Sequence, residues 1–234
     1  MQDSLDTLVR RHDEDRWLAS RFAPRKVRER LIAIYAVHGE IVRAAVHARE
    51  PHLKALRLAW WRDALARIHS GGPAEAHPAL SAYASAAAGL PGETWLGVIE
   101  AEVEHNEAPW PEGEGAAQRA AAGLMQLAAY ACDQRVAQGA NERLACAAAA
   151  WGSLEQCRTL RGAPAEKAQS LMRARSAYSE ARRQMRGFPG ELFAAVGYLA
   201  LAPLHLRALE HGRAGAPLLA RQWKLVIAAA TGRF

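Results

Sequence analysis

An acidic stretch between residues 100 and 107 has the residue types best suited to metal chemistry. It holds Glu100, Glu102, Glu104, His105 and Glu107, and the first and third of these lie one helical turn apart on the same face. Carboxylate oxygens at that spacing could bind a divalent cation. The alternative is a solvated acidic face near the end of a helix, which is the ordinary role of a charge run and the interpretation we favour.

Four arginines have side chains suited to a phosphate group, because the guanidinium fork donates parallel hydrogen bonds and stays charged when partly buried. They are Arg57, Arg62, Arg158 and Arg161. Arginine is common in this chain, so pairing with surface carboxylates is the competing explanation. Arg158 and Arg161 are the pair for which we keep a ligand role open.

The histidines, cysteines and hydroxyls form no complete catalytic motif. None of the nine histidines belongs to an HExxH arrangement, and no GxSxG elbow is present. His38 lies on the inward stripe of its helix and His77 precedes a proline at a helix start, so we expect a structural hydrogen bond for each. Cys132, Cys146 and Cys157 contain no CxxC pair and are expected to be small core residues in a reducing compartment.

Apolar residues spaced three and four apart predict the helices that position these groups. One helix begins at Pro24 and places Tyr35 and His38 on its inward stripe. Trp60, Trp61 and Trp151 lie at helical positions expected to face the core. Later helices are expected at about 116–138, 141–161, 166–186, 191–211 and 217–231, with a polar, glycine-rich surface loop at 112–115. Long helices joined by short loops favour one domain over residues 1–234, with any ligand site between helices.

Composition supports an all-α class, since half of the residues are hydrophobic and alanine, the best helix former, is abundant. The net charge of +6 suits an acidic partner, but the charges are scattered and no nucleic-acid-binding signature is present, so we expect no nucleic acid partner. A basic helix near 173–186 could rest on anionic lipid, although Glu180 interrupts its charge and a solvated face is favoured. With no secretory signal and an apolar run at 192–206 shorter than the ~20 residues that span a bilayer, a cytoplasmic protein is expected.

Several short segments resemble squalene and phytoene synthases in sequence and in order. They are DRWLASRFAP (15–24), RLIAIYA (30–36), LAWWRDAL (58–65), HPAL (77–80), AWGSL (150–154), RQW (221–223) and GRF (232–234). The resemblance extends over nearly the whole chain. It implies an all-α bundle of the isoprenoid synthase type, with helices around a deep apolar cavity. Within that fold, the residues expected to line the cavity or contact a ligand are Tyr35, His38, Arg57, Trp61, Arg158 and Arg161.

Enzymes of this family join two prenyl diphosphates head to head and hold magnesium on two aspartate-rich motifs. The stretches that correspond here are VRAAV at 42–46 and GAPAE at 162–166, and neither contains an aspartate. We therefore expect no catalytic residue and no metal site, with Glu100, Glu104 and Glu166 as the remaining candidate ligands. No cofactor is expected, and magnesium would be needed only if the chain were an enzyme.

The pattern is similar to the divergent branch that contains the mitochondrial complex I assembly factor of this superfamily. That similarity implies a pseudoenzyme that binds a prenyl lipid or a protein client, in respiratory complex I assembly and peripheral to the inner membrane. The alternative is an active prenyl transferase of isoprenoid biosynthesis that takes farnesyl or geranylgeranyl diphosphate. A third alternative is an interaction module whose cavity is filled by its own side chains.

Overall fold

The computed structural model describes residues 4–47, 50–213 and 215–234. Within these ranges all regular structure is helical and no strand is present, so the all-α prediction is confirmed. The α-helices are α1 (Leu5–His12), α2 (Glu14–Ser20), α3 (Arg25–His47), α4 (Pro51–His69), α5 (Pro78–Ala86), α6 (Thr94–Glu107), α7 (Glu112–Cys132), α8 (Gln134–Gly139), α9 (Asn141–Thr159), α10 (Pro164–Gln184), α11 (Phe193–Val196), α12 (Ala202–Glu210) and α13 (Leu218–Thr231). Two 3₁₀ segments, Gly190–Leu192 and Gly197–Leu201, flank α11.

Side-chain caps fix where several helices begin. Ser4 accepts a hydrogen bond from the backbone N–H of Thr7 at the start of α1, and Asp13 accepts one from Arg16 at the start of α2. His77 Nδ1 accepts the Ala79 N–H at 3.2 Å at the start of α5. The structural hydrogen bond predicted for His77 is therefore present.

Helix α7 lies at the centre, packed between α6 and α9. Its contact with α9 is close at Gly152, where an added Cβ would lie 2.5 Å from Cα of Gln118. Trp151, the neighbouring residue, is fully buried, and Trp61 is 5% exposed, so the core positions predicted for these two tryptophans are confirmed. The expectation of one domain over residues 1–234 stays a prediction.

The core position predicted for Trp60 is wrong, because its side chain is exposed. Consecutive residues on an α-helix point about 100° apart, so Trp60 and Trp61 cannot both face the same core. Trp61 takes the inward direction, and the two rings meet edge to face with centroids 5.1 Å apart. Leu53 and Leu56, earlier on the same helix, are exposed as well.

The surface loop predicted at 112–115 is also wrong, since these residues form the first turn of α7. Glu114 is buried there because it has partners on two other helices: Ser153 Oγ on α9 donates to Oε1 at 2.8 Å, and Arg173 on α10 donates to Oε2 at 3.1 Å. The predicted helix 116–138 is two helices, because the side chain of Asp133 accepts the Val136 N–H at 3.0 Å and starts α8.

The predicted helix 191–211 is divided among the 3₁₀ segments, α11 and α12. The stretch Gly190–Glu210 has 21 residues, so it is longer than the apolar run identified in the sequence and by length and composition alone could cross a membrane. However, 72% of its most apolar part is buried inside the protein, which is typical of a core segment. The three cysteines are free thiols and half-buried.

Candidate functional site

A cavity of about 410 Å³ opens where the N-terminal and C-terminal helices meet the central bundle. Helices α1, α2, α3, α6, α7, α9, α12 and α13 contribute to its wall. Of its 22 described lining residues, 13 are titratable: Arg11, His12, Asp13, Glu14, Asp15, Arg16, His38, Glu102, His105, Glu155, Arg158, His205 and Arg221. The wall is therefore dominated by charged and ionisable groups.

Asp15, on α2, is the most highly connected carboxylate in this cavity and is 3% exposed. Its Oδ1 accepts a hydrogen bond from Arg221 Nη1 on α13 at 2.8 Å, and its Oδ2 lies 2.9 Å from His205 Nε2 and 3.5 Å from Arg158 Nη1. Burial alone would raise the pKa of Asp15, but contacts with His205, Arg221 and Arg158 outweigh it and lower the pKa to about 2. The carboxylate is thus ionised and surrounded by cationic and imidazole groups.

Arg16 places a positive charge at the inner end of the cavity. Its side chain is 6% exposed and paired with Asp13, which comes just before α2. The guanidinium carbon lies 5.0 Å from the centre of the Tyr198 ring and 5.9 Å from that of Trp151, a cation–π arrangement. The two aromatic rings are themselves 4.7 Å apart and buried, so side chains of the protein occupy the space beyond Arg16.

His38 and Glu102 form a second buried pair, between α3 and α6. His38 Nε2 lies 2.8 Å from Glu102 Oε1, and the two side chains are 9% and 10% exposed. Burial would raise the pKa of Glu102, but the contact with His38 lowers it overall. Burial, and then the neighbouring His38, lower the pKa of His12, whose ring centroid is 6.3 Å from that of His38. The structural hydrogen bond predicted for His38 is present.

The six predicted cavity residues do not come together at one site. His38 and Arg158 line the cavity described above, whereas Arg57 and Trp61 line a separate cavity of about 510 Å³ between α3 and α4. Tyr35 is buried, and its hydroxyl has no hydrogen-bond partner in the described part of the chain. The remaining residue, Arg161, is exposed and follows the end of α9.

The roles of Asp15, Arg16, His205 and Arg221 were not predicted from the sequence. Three of these stood in segments that carried the family resemblance, DRWLASRFAP and RQW, but a segment match does not reveal which side chain pairs with which. His205 stands in the apolar run at 192–206, where the neighbouring residues do not indicate a carboxylate partner. Its 2% exposure next to an aspartate comes from the chain's tertiary packing.

The three carboxylates kept as candidate metal ligands lie apart from this cavity, and each has a different setting. Glu100 is exposed on α6, and Glu104 is paired with Arg119 on α7. Glu166 accepts the Ala163 N–H at 2.7 Å and so caps the start of α10. Among the described residues, no group of three or more histidine, cysteine, aspartate or glutamate side chains is placed to hold a metal ion.

The carboxylates that do line the cavity do not fit magnesium. A hard cation binds several carboxylate, carbonyl or water oxygens that converge on one point. Here each acidic side chain is engaged by a base of the same chain: Asp13 by Arg16, Glu14 by Arg221, Asp15 by Arg221 and His205, Glu102 by His38, and Glu155 by Arg158.

Comparison with known proteins agrees with this helical architecture. Residues 9–108 match the squalene/phytoene synthase family model. The crystal structure of squalene synthase HpnC from Alicyclobacillus acidocaldarius superposes with a TM-score of 0.58 at 19% sequence identity, covering 97% of this chain and 92% of that chain. The chain has the all-α isoprenoid synthase fold. The family model matches less than half of the chain, and the structural match shows the fold. No curated protein sequence matches the chain.

Within the isoprenoid synthase fold, the cavity described here lies between the helices of the bundle, where a ligand site was expected from the sequence. It differs from the expected deep apolar cavity in the chemistry of its wall, because Arg16 and the ion pairs of Asp15 occupy its inner surface.

Proposed function

We propose that this protein is a non-catalytic member of the squalene/phytoene synthase superfamily that acts by binding a client. The observation that carries the proposal is the internal pairing of the cavity's carboxylates. Asp15 is the clearest case, with three basic partners from α9, α12 and α13.

Prenyl transfer in this superfamily begins with loss of diphosphate, and magnesium bound by carboxylates stabilises that leaving group. For Asp15 to bind magnesium, it would have to release Arg221, whose side chain is only 12% exposed. An arginine left buried with fewer partners is costly, because its desolvation is no longer compensated. The internal ion pairs therefore compete directly with metal binding.

The polar wall favours a protein client over a prenyl lipid as the binding partner. An isoprenoid chain needs an extended apolar surface. Among the described residues, the apolar side chains lining this cavity are Val42, Val46 and a few alanines. Trp151 and Tyr198 fill the space beyond Arg16. Assembly of respiratory complex I is the specific role that the family resemblance implies, and we propose it as the setting in which a client is bound.

Product analysis tests the absence of catalysis. Purified protein is incubated with farnesyl or geranylgeranyl diphosphate and magnesium, and hydrocarbon products and released pyrophosphate are measured. The squalene synthase HpnC of Alicyclobacillus acidocaldarius, assayed in parallel, serves as the positive control. We expect no product from this chain, and formation of a coupled prenyl product would refute the proposal.

An active prenyl transferase remains the second candidate, favoured by the structural match to a squalene synthase over 97% of the chain. In that case Glu100, Glu104 and Glu166 are the ligands that the sequence leaves available. This candidate predicts that Glu100→Gln, Glu104→Gln and Glu166→Gln each abolish magnesium-dependent diphosphate binding. Our proposal predicts no such binding in the unmodified protein.

A further inference from the structure

The outward side of α13 carries a row of exposed apolar side chains. Leu219, Trp223, Val226 and Ile227 are 71%, 67%, 48% and 53% exposed. Their spacing of four, three and one residues places them on one side of the helix, which we call the α13 outer face. Such a row next to solvent is unusual, because the apolar stripe of an amphipathic helix ordinarily faces the core.

The opposite side of α13 is already attached to the protein. Leu225 and Ala228 are buried, and Arg221 is bound to Asp15 and Glu14 of α2. After the helix ends at Thr231, Phe234 is buried, with its ring centroid 5.9 Å from that of Phe193. The helix therefore cannot turn its apolar row inward without breaking these contacts.

Basic residues border the α13 outer face. Lys224 and Arg233 lie on the helix and just after it, while Arg207 and Arg213 line the cavity that also contains Pro217 and Ala220 at the start of α13. Within the described part of the chain, these four cations have no ion pair. Two acidic side chains at this end of the molecule, Glu14 and Glu210, are engaged by Arg221 and Arg175.

We propose that the α13 outer face docks this protein on an anionic lipid surface. The helix would lie parallel to the membrane plane, with its apolar row in the boundary between headgroups and acyl chains and its basic border against the phosphates. Trp223 is suited to that boundary because its ring is apolar and its N–H can reach a polar group. A second copy of the chain is disfavoured as the occupant, because a symmetric contact would bring the basic borders of both copies together.

The proposal goes beyond the proposed function and does not depend on it. The sequence also suggested the basic helix α10 as a lipid-binding surface. In the structure, however, Arg173, Arg175 and Arg183 of that helix are paired with carboxylates of this chain. Those arginines are less available to lipid phosphates than the unpaired cations around α13.

Vesicle binding by the full chain tests the proposal. Co-sedimentation is measured with vesicles of phosphatidylcholine and phosphatidylglycerol in equal parts, and with vesicles of phosphatidylcholine alone. We expect binding to the anionic vesicles, weaker binding to the neutral ones, and a loss of binding as salt concentration rises. Failure to bind the anionic vesicles would overturn the proposal.

Substitutions locate the contact. Trp223→Gln combined with Ile227→Gln should weaken binding to anionic vesicles about tenfold or more, because two apolar side chains no longer enter the lipid. Met172→Gln is the matched control, since Met172 is 63% exposed on α10 and should leave binding unchanged. Equal binding by the double variant and the unmodified protein would overturn the proposal. It would also be overturned if the unmodified protein formed a dimer without binding vesicles and the double variant were a monomer.

A second variant addresses the charge and covers the case in which the double variant does not fold. Lys224→Glu combined with Arg233→Glu alters the basic border and leaves the apolar row intact. It should remove the preference for anionic over neutral vesicles, with an unchanged circular dichroism spectrum. A preserved preference in this variant would contradict the proposed role of the basic border.

Discussion

Asp15 Oδ1 and Arg221 Nη1 are 2.8 Å apart although 206 positions separate the two residues in the chain. The bond joins α2, near the beginning of the protein, to α13, near its end, and it lies in the wall of the central cavity. An ion pair with so little exposure holds both charges out of water, so each depends on the other for compensation. The same contact therefore joins α2 to α13 and engages a carboxylate that could otherwise bind a cation.

The first prediction concerns stability in acid. The pKa of Asp15 is about 2 in the folded protein, against 3.8 for an unperturbed aspartate, so the folded state binds fewer protons than the unfolded state between these values. The stabilisation by this group is fully present above about pH 4 and is lost as the pH falls toward 2. The difference in pKa corresponds to about 2 kcal/mol of unfolding free energy.

Asp15→Asn should therefore lower the unfolding free energy at pH 7 by about 2 kcal/mol, and the gap between variant and unmodified protein should narrow between pH 4 and 2. Urea denaturation across this pH range measures both effects. The control is Asp63→Asn, whose carboxylate is 64% exposed in a surface pair with Arg62. If the unfolding free energies of Asp15→Asn and of the unmodified protein changed in parallel with pH, the buried pair would not determine the stability of the protein in acid.

The second prediction concerns the His38–Glu102 pair. Replacing either residue alone by leucine should cost about 3 kcal/mol or more, because the partner stays buried without compensation. Replacing both should cost less than the sum of the two single changes. Urea denaturation of the single and double variants gives this coupling energy.

The exposed pair Arg25–Glu29 is the matched comparison, with side chains that are 89% and 62% exposed. Its coupling energy should be no more than about 0.5 kcal/mol, as is usual for surface pairs on a helix. Similar coupling energies for the two pairs would mean that burial of His38 and Glu102 does not strengthen their interaction.

The third prediction concerns the contact between α7 and α9. Gly152→Ala would place a Cβ 2.5 Å from Gln118 Cα, and a backbone atom cannot rotate aside as the end of a side chain can. The helices must separate locally, and we expect a loss of about 1–3 kcal/mol or more. Thermal unfolding measures the change.

Gly97→Ala on α6 is the control, because among the described residues its added Cβ would meet no atom within 4 Å beyond its chain neighbours and the nearby backbone of its own helix. Alanine is the better helix former, so this variant should gain stability by up to about 1 kcal/mol. Opposite changes in the two melting temperatures would support the close approach at Gly152, and equal stabilisation would contradict it.

Local sequence patterns were sufficient for most helices, because a helix is specified by spacing and by caps within a few residues. The start of α5 at His77 and the burial of Trp61 and Trp151 follow from such local signals. Glu114 shows the limit of this reasoning. Its glycine-rich surroundings indicated a loop, whereas its burial depends on Ser153 and Arg173, which lie 39 and 59 positions away.

The candidate site was predicted less completely than the fold for the same reason. The sequence indicated His38 and Arg158, which line the cavity, but the partners of Asp15 come from helices far apart in the chain. The apolar row on α13 was also missed, because a helix with regularly spaced apolar residues is ordinarily assigned to the core. The contacts of Arg221 and the burial of Leu225 and Ala228 on the opposite side show that the row faces outward.

We propose that the carboxylates lining the cavity are held in internal ion pairs and do not bind magnesium diphosphate. Isothermal titration of the purified protein with farnesyl diphosphate, with and without magnesium, tests it most directly. We expect no magnesium-dependent binding heat. Magnesium-dependent binding that is accompanied by pyrophosphate release would contradict the account and establish an enzyme.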